Sequence, residues 1–371
     1  MRGAEADELD ELDVIVIGAG ISGLCAAGEL ARAGRRVLVV EKSRGIGGRM
    51  ATRRLGDAVC DHGAQFFTVR GRTFGAIVAA AHEDAVVQPW CNGFSRDVSI
   101  GEAAAPADGH ARWRGARGMT DLPKWLANEL LSSDLAGRCD IRTGAQVTAV
   151  AVDGCRVRVA VRNADDRLEE LSAAGAVVTA PVPQALELMR AGGLIDGPVD
   201  LVPSEVRQRL EAVVYDPCFA LMLVLDRPSL VPEPGGIQFA ADAGGPIAWL
   251  ADNRQKGISA VPALTVHASG DFSRAHFDAP PEVVTGLLLD AVRPWIDGDP
   301  ATVVIERSLH RWKFAVPTTI LPDPVVAVVQ RPPLACCGDA FAGPRVEGAA
   351  SSGLAAGRWL SRVLTDQRAS Q

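Results

Sequence analysis

Three glycines, Gly18, Gly20 and Gly23, follow the apolar run Val14-Ile15-Val16-Ile17 and precede Leu24-Cys25-Ala26-Ala27. The run 12–20 reads as a buried strand and 22–33 as a helix, so the glycines occupy a strand-to-helix turn. Gly18 permits the tight turn, Gly20 lets backbone approach a pyrophosphate, and Gly23 lets the helix pack close to the strand. Ile21 and Ser22 open the helix, whose free N–H groups and positive end suit phosphates. Glu41 ends a second strand, 36–42, 21 residues after Gly20. A carboxylate at that place accepts from ribose hydroxyls and repels a 2′-phosphate. The chemistry implied is dinucleotide binding.

The stretch Glu41-Lys42-Ser43-Arg44-Gly45-Ile46-Gly47-Gly48-Arg49 narrows the dinucleotide. A simple NAD dehydrogenase has no use for a second glycine pair and an arginine directly after its acidic residue. A longer dinucleotide, FAD, does. Gly47-Gly48 would bring backbone near the pyrophosphate, and Arg49 offers a charged fork to phosphate or flavin.

The elements that must position these residues follow from pattern. Beyond the first βαβ unit, the pattern across 71–115 is irregular. A helix is expected at 120–132, strands at 146–152, 155–162 and 175–180, a helix at 204–211 and a strand at 218–225. A helix at 281–291, a strand at 325–330 or 334–338, and a last helix from about 347 to 365 complete the reading. The fold class is α/β: a Rossmann-like FAD-binding domain with an inserted substrate domain of mixed β-sheet plus helices. The C-terminal strand is expected to return beside the first one. Residues 1–11 read as a disordered acidic tail. The FAD-binding domain is assigned to 12–70, 140–185 and 325–371, and the substrate domain to 71–139 and 186–324.

Composition sets limits. The 371 residues, 48% hydrophobic and 22% charged, are those of an ordinary globular protein of two or three domains. A net charge of −7 argues against nucleic acid. No apolar run approaches the ~20 residues of a membrane helix, and the acidic opening MRGAEADELDELD is no secretory signal. A cytoplasmic location is expected. The eight cysteines form no CxxC pair and no zinc spacing, and read as buried small apolar residues. No metal site is expected.

Glu41-x5-Gly47-Gly48-Arg49 after such a loop resembles the amine-oxidase-like flavoprotein superfamily. Within it, Lys42-Ser43-Arg44-Gly45, Gly48-Arg49-Met50 and Asp61-His62-Gly63-Ala64-Gln65-Phe66-Phe67 resemble the renalases, the bacterial form in particular. The likeness continues through Arg112-Trp113, Ala180-Pro181-Val182-Pro183-Gln184, Trp249 to Arg254, His310-Arg311-Trp312, Cys337-Gly338-Asp339 and Arg345-Val346-Glu347-Gly348-Ala349, in family order.

The resemblance implies noncovalent FAD. It places Lys42, Met50, His62, Gly63, Ala64, Gln65 and Ala180 at the cofactor and Val147 near its adenine end. Asp339, after Gly338, should hydrogen-bond a ribityl hydroxyl. The helix opening at Val346-Glu347-Gly348-Ala349 should direct its positive end at the N1/C2 edge of reduced flavin. Renalase-like enzymes oxidise misreduced dihydronicotinamide dinucleotides: hydride passes to flavin N5, NAD(P)+ leaves, and dioxygen takes the electrons to give hydrogen peroxide. A small-molecule dinucleotide and dioxygen are thus the expected partners. The residues expected to line the substrate pocket are Gln65, Phe67, Asn92, Arg112, Asn253, Arg254, His310, Arg311 and Trp312. Arg254 and Lys256 could equally face water. No acid–base or nucleophilic constellation is evident, which suits hydride transfer.

Two enzymatic rivals stand beside this reading, a flavin-dependent amine oxidase and a desaturase. From another class, the chain could bind FAD or NAD without turnover. A tyrosine pair flanking a substrate amine is impossible, because the chain has one tyrosine, Tyr215.

Overall fold

The computed structural model describes residues 12–96, 109–132, 134–197, 200–240, 244–341 and 343–369. The expected tail, 1–11, lies outside them. The chain divides into two units: unit 1 is Met1–Gly48, Pro123–Val214 and Pro317–Gln371, and unit 2 is Arg49–Leu122 and Tyr215–Val316.

Unit 1 opens with β1 (Val14–Ile17), α1 (Ile21–Arg32) and β2 (Val37–Val40). Unit 2 begins with β3 (Thr52–Leu55), β4 (Ala58–Asp61), α2 (Arg72–Glu83), β5 (Val87–Cys91), β6 (Ser95–Arg96) and β7 (Arg112–Gly115). After α3 (Asp121–Ser132), unit 1 holds β8 (Cys139–Arg142), β9 (Gln146–Asp153), β10 (Arg156–Arg162), β11 (Leu168–Ala173), β12 (Gly175–Val178), α4 (Val182–Ala191) and α5 (Ser204–Glu211). Unit 2 resumes with β13 (Tyr215–Leu225), β14 (Gly236–Gln238), β15 (Ile247–Asp252), β16 (Ala263–Ala268), α6 (Gly270–Ala275), α7 (Pro281–Val292), α8 (Pro300–Val303) and β17 (Val304–Pro317). Unit 1 closes with β18 (Val326–Gln330), β19 (Pro333–Cys336) and α9 (Val346–Ala369).

The main sheet of unit 1 runs β18-β19-β12-β1-β2-β8. Strands β1, β2, β12 and β19 are buried at every position, as parallel strands covered on both faces must be. The C-terminal strand does not lie beside the first one. Residues 326–330 and 333–336 both form strands, paired antiparallel, and β12 stands between β19 and β1. The four-residue apolar run of β12 claims the edge of β1 in register from Val14 opposite Gly175. Helix α9 lies on α1 at backbone contact: a Cβ on Gly353 would stand 2.0 Å from the Ser22 carbonyl oxygen, and one on Gly357 2.7 Å from that of Ala26.

The sheet of unit 2 runs β17-β13-β16-β15-β14-β6. Its period-two alternation divides β13 between two cores. Leu221, Leu223 and Leu225 pack with Val284, Leu288 and Val292 of α7. Met222 and Val224 pack with Ala58 and Cys60 of β4.

The stretch 71–115, expected to be irregular, contains helix α2. Its buried Phe74, Val78 and Ala81 form a helical stripe that the interior Gly75 and flanking polar residues obscured. The unit boundaries also differ from those expected. Residues 49–70 fall in unit 2, because β4 supplies Ala58 and Cys60 to the core beneath β13. Residues 123–139, 186–214 and 317–324 fall in unit 1.

Candidate functional site

In unit 1 the glycine turn has the geometry a dinucleotide cradle requires. Gly18 adopts φ +106°, and a Cβ there would meet Thr179 Oγ1 at 2.5 Å. Thr179 Oγ1 donates to the Ile17 carbonyl at 2.8 Å, which fixes the strand end. A Cβ on Gly23 would lie 1.9 Å from the Gly18 carbonyl oxygen, so only glycine lets α1 start this close. At Gly20 nothing among the described residues lies within 4 Å of a Cβ position. That opening, at the N-terminus of α1, leaves room for a phosphate. Gly47 bridges to Gly20, its N–H donating to the Ala19 carbonyl at 3.0 Å.

Glu41 sits just past β2 and is buried. Its Oε2 accepts from the Ala19 N–H at 2.8 Å and its Oε1 from the Ser43 N–H at 2.8 Å. The carboxylate therefore ties the glycine turn to the following loop. Each oxygen keeps a lone pair for a ribose hydroxyl. Ser22 Oγ lies 3.3 Å from Cys337 Sγ, and Ser352 Oγ accepts from the Gly338 N–H at 2.9 Å while donating to the Pro324 carbonyl at 2.6 Å. These bonds fix the Gly338-Asp339 step and the first turns of α9. A Cβ on Gly348 would meet the Gly343 carbonyl oxygen at 2.3 Å. Asp339, Val346, Glu347 and Gly348 are half-buried and Ala349 buried. Val147 is buried on β9 opposite Val161, Ala180 is half-buried after β12, and Lys42 and Gly48 are exposed. Residues of this turn and helix end fit a dinucleotide.

In unit 2 the segment after β4 carries the second group of expected residues. The Gly63 position would bring a Cβ to 2.0 Å from the Arg49 carbonyl oxygen, which also accepts from the Ala64 N–H at 2.8 Å. Met50 is buried. Arg49 Nη1 donates to the Phe314 and Ala315 carbonyls at 3.2 and 3.3 Å, and its guanidinium lies 5.7 Å from the Tyr215 ring centre.

His62, His310 and Trp312 form one ring cluster. His62 stacks on Trp312 at 5.5 Å and meets His310 edge-on at 4.9 Å, and His310 meets Trp312 at 4.3 Å. The Trp312 Nε1–H donates to the His62 carbonyl at 2.8 Å. Gln65 Nε2 donates to the Asp61 carbonyl at 2.7 Å and stands 3.3 Å from His267 Nε2. Two buried polar atoms here, His62 Nδ1 and Gln65 Oε1, have no hydrogen-bond partner among the described residues. Buried polar atoms of this kind are satisfied by a ligand, an ion or an ordered water.

Burial, with smaller contributions from His310 and Arg53, pushes the His62 imidazole down to about 3. Burial likewise pushes His267 down to about 4. Both rings are therefore neutral near pH 7. In the unfolded chain they take up protons near the ordinary 6.5. Their stabilising effect is complete above about pH 6.5 and is lost as pH falls toward the folded values, because the unfolded state then binds more protons. The thermal midpoint is expected to fall steadily from about pH 6.5 to about pH 4, and His62→Gln should flatten that slope. An unchanged slope in His62→Gln would refute the assignment of His62 as a buried neutral ring.

The remaining expected pocket residues are dispersed. Phe67 is buried, with its ring edge-on to Phe74 at 5.8 Å, so it belongs to the core beneath α2. Asn253 is fully buried, donating to Thr265 Oγ1 at 2.9 Å and accepting from the Asp61 N–H at 3.4 Å. It braces β4. Arg311 alternates to the other face of β17 from His310 and Trp312, over the rings of Phe219 and Phe277. Asn92 and Arg254 are exposed. Lys256, which could have faced water, is instead fully buried.

Sequence reasoning passed over a second ring cluster. Phe94 meets Trp249 at 4.7 Å, Phe66 at 4.9 Å and Trp90 at 4.8 Å. The Arg112 guanidinium lies 6.0 Å from both Phe66 and Phe94.

Residues 16–79 match an NAD(P)-binding Rossmann-like domain, and residues 91–358 match the flavin containing amine oxidoreductase family, more than half of the chain. The chain belongs to the flavin-containing amine oxidoreductase family. As a member of it, the protein is an FAD-dependent oxidoreductase. A Mycobacterium tuberculosis protein provisionally named flavin-containing monoamine oxidase AofH is 44% identical over 72 residues, 19% of this chain and 15% of that protein. An inactive all-trans-retinol 13,14-reductase of Danio rerio is 58% identical over 43 residues, 12% of this chain and 7% of that protein. The chain thus aligns with only a small part of the length of these curated relatives. A protein of Exiguobacterium provisionally named protoporphyrinogen oxidase superposes with a TM-score of 0.69 at 13% identity, over 95% of this chain and 99% of that one. Putrescine oxidase bound to putrescine superposes with a TM-score of 0.64 at 14% identity, over 96% and 99%. At these identities the likeness is one of fold. Among the described residues, no helix of this family member is long and apolar enough to cross a membrane.

Proposed function

We propose that this flavin-dependent oxidoreductase is an oxidase of renalase type. Its substrates would be the 2-dihydro isomers of NAD(P)H, and its products NAD(P)+ and hydrogen peroxide. Bound FAD would supply the hydride acceptor at N5 and pass the electrons to dioxygen. The observation that carries the reading is the neutral ring cluster His62–His310–Trp312. A dihydropyridine that gives up hydride becomes a cationic pyridinium, and needs no general base to do so. A protonated histidine beside it would oppose that charge, whereas burial keeps the His62 ring uncharged. The face of an indole attracts a cation, and attracts it more as the charge grows, which is the differential stabilisation that speeds a reaction.

In this reading Gly18, Gly20, Gly23 and Glu41 hold the phosphates and ribose of FAD. Noncovalent binding fits the cysteines nearest the cradle. Cys337 is fully buried against Ser22, and burial pushes its thiol up to about 12, so it is a poor nucleophile. Product analysis tests the proposal. Each 2-dihydro-NAD consumed in air should yield one NAD+ and one hydrogen peroxide. Peroxide formed from putrescine or other primary amines, with none from the dihydronicotinamide, would replace the proposal with amine oxidation.

A further inference from the structure

The segment His62–Gln65 is held by an ion pair that has no part in the chemistry above. Lys256 Nζ lies 2.5 Å from Asp61 Oδ2, and both side chains are entirely inaccessible to solvent. The other carboxylate oxygen, Oδ1, accepts from Thr52 Oγ1 at 2.5 Å and from the Met119 N–H at 2.8 Å. The main chain of Asp61 is engaged as well. Its N–H donates to Asn253 Oδ1 at 3.4 Å and its carbonyl accepts from Gln65 Nε2 at 2.7 Å. Every polar group of Asp61 is thus bound, one residue before His62.

Lys256 in turn is anchored. Its N–H donates to the Asp252 carbonyl at 2.9 Å, at the end of the strand that carries Trp249, and its ammonium lies 5.1 Å from the Trp90 ring centre. A buried ion pair adds little net stability compared with apolar side chains of the same size, because desolvation offsets the attraction. What it supplies is direction: a carboxylate bound to one ammonium, one hydroxyl and one amide has a single orientation. We propose that Lys256 is a positioning residue, acting through Asp61 to fix the His62–Gln65 segment and with it the His62 ring and the Gln65 amide. The inference rests on the assignment of that segment to the reaction, and its first readout is independent of any substrate.

The test is histidine-labelled nuclear magnetic resonance of the FAD-loaded protein, which has six histidines, together with turnover per bound flavin. In Lys256→Met the ring resonances of His62 and His267 should move while that of His276 stays. Turnover per bound flavin should fall on the order of 100-fold with KM little changed, the cost of a misplaced group. Asp61→Asn provides the same test if Lys256→Met does not fold. Burial already pushes the Lys256 ammonium below its ordinary value, and the lysine can release its proton when the carboxylate is gone. The double variant Asp61→Asn with Lys256→Met keeps an acceptor for Met119 and should recover at least about a tenth of native turnover. Unmoved His62 and His267 resonances in Lys256→Met or Asp61→Asn would overturn the proposal. So would a variant that merely binds less flavin and turns over normally on what it holds. Moved resonances without any activity on dihydronicotinamides would leave the positioning role standing and count against the proposed substrate.

Discussion

Glu41→Arg is expected to abolish FAD retention through gel filtration and to leave a colourless protein. The native carboxylate accepts two backbone N–H bonds, from Ala19 inside the glycine turn and from Ser43 beyond β2. Hydrogen bonds to a charged group contribute about 1.5–3 kcal/mol each, and both donors would be left without a partner. The introduced guanidinium also stands by the positive end of α1, where a cation is unfavourable. The two ribose hydroxyls that the carboxylate would accept from also lose their partner, roughly 3–6 kcal/mol of binding, or an affinity lower on the order of 10²–10⁴-fold. Glu41→Gln keeps one acceptor and should lose about half of that free energy. Isothermal titration of the apoprotein with FAD measures both. An arginine variant that holds FAD at native affinity would remove Glu41 from the cradle.

Trp312→Ala should do the opposite, leaving FAD bound in stoichiometric amount while turnover per flavin falls on the order of 100-fold. The indole is tied to His62 twice, by the Nε1–H bond to the His62 carbonyl and by ring stacking at 5.5 Å, and it also packs against His310. Removing it frees both imidazoles and opens a void where a flat substrate ring would otherwise be confined. Trp312→Phe retains the stacking and loses the donor, so an intermediate loss of about tenfold is expected from one missing hydrogen bond. Steady-state rates normalised to flavin absorbance decide the matter. Native turnover in Trp312→Ala would show that the His62–His310–Trp312 cluster is not where the substrate binds.

Contacts local in sequence were legible from residues alone, and those depending on distant partners were not. In the β1-turn-α1 unit Gly23 is required by a residue close in the chain, because the Gly18 carbonyl blocks its Cβ position. Helix α5 falls at the residues its periodicity indicated, Ser204–Glu211. The neighbour of β19, by contrast, is decided by competition between apolar strands for one edge of β1, which no local pattern records. Asp61 and Lys256 are separated by 195 positions, and a lysine among Arg254 and Gln255 gives no sign that it is buried. Arg311 was grouped with His310 and Trp312, which strand alternation directs to the other face of β17, and that alternation could have been applied beforehand. The neutrality of His62 comes from burial supplied by β17, far along the chain, so it required the fold.

The most direct test of the account is an anaerobic spectrum of the FAD-loaded protein mixed in turn with 2-dihydro-NAD, ordinary NADH and a primary amine. The 2-dihydro isomer should bleach the flavin's visible band fastest, and admitted air should restore the colour with formation of peroxide. A flavin that stays oxidised with the isomer and is reduced by the amine would contradict the account.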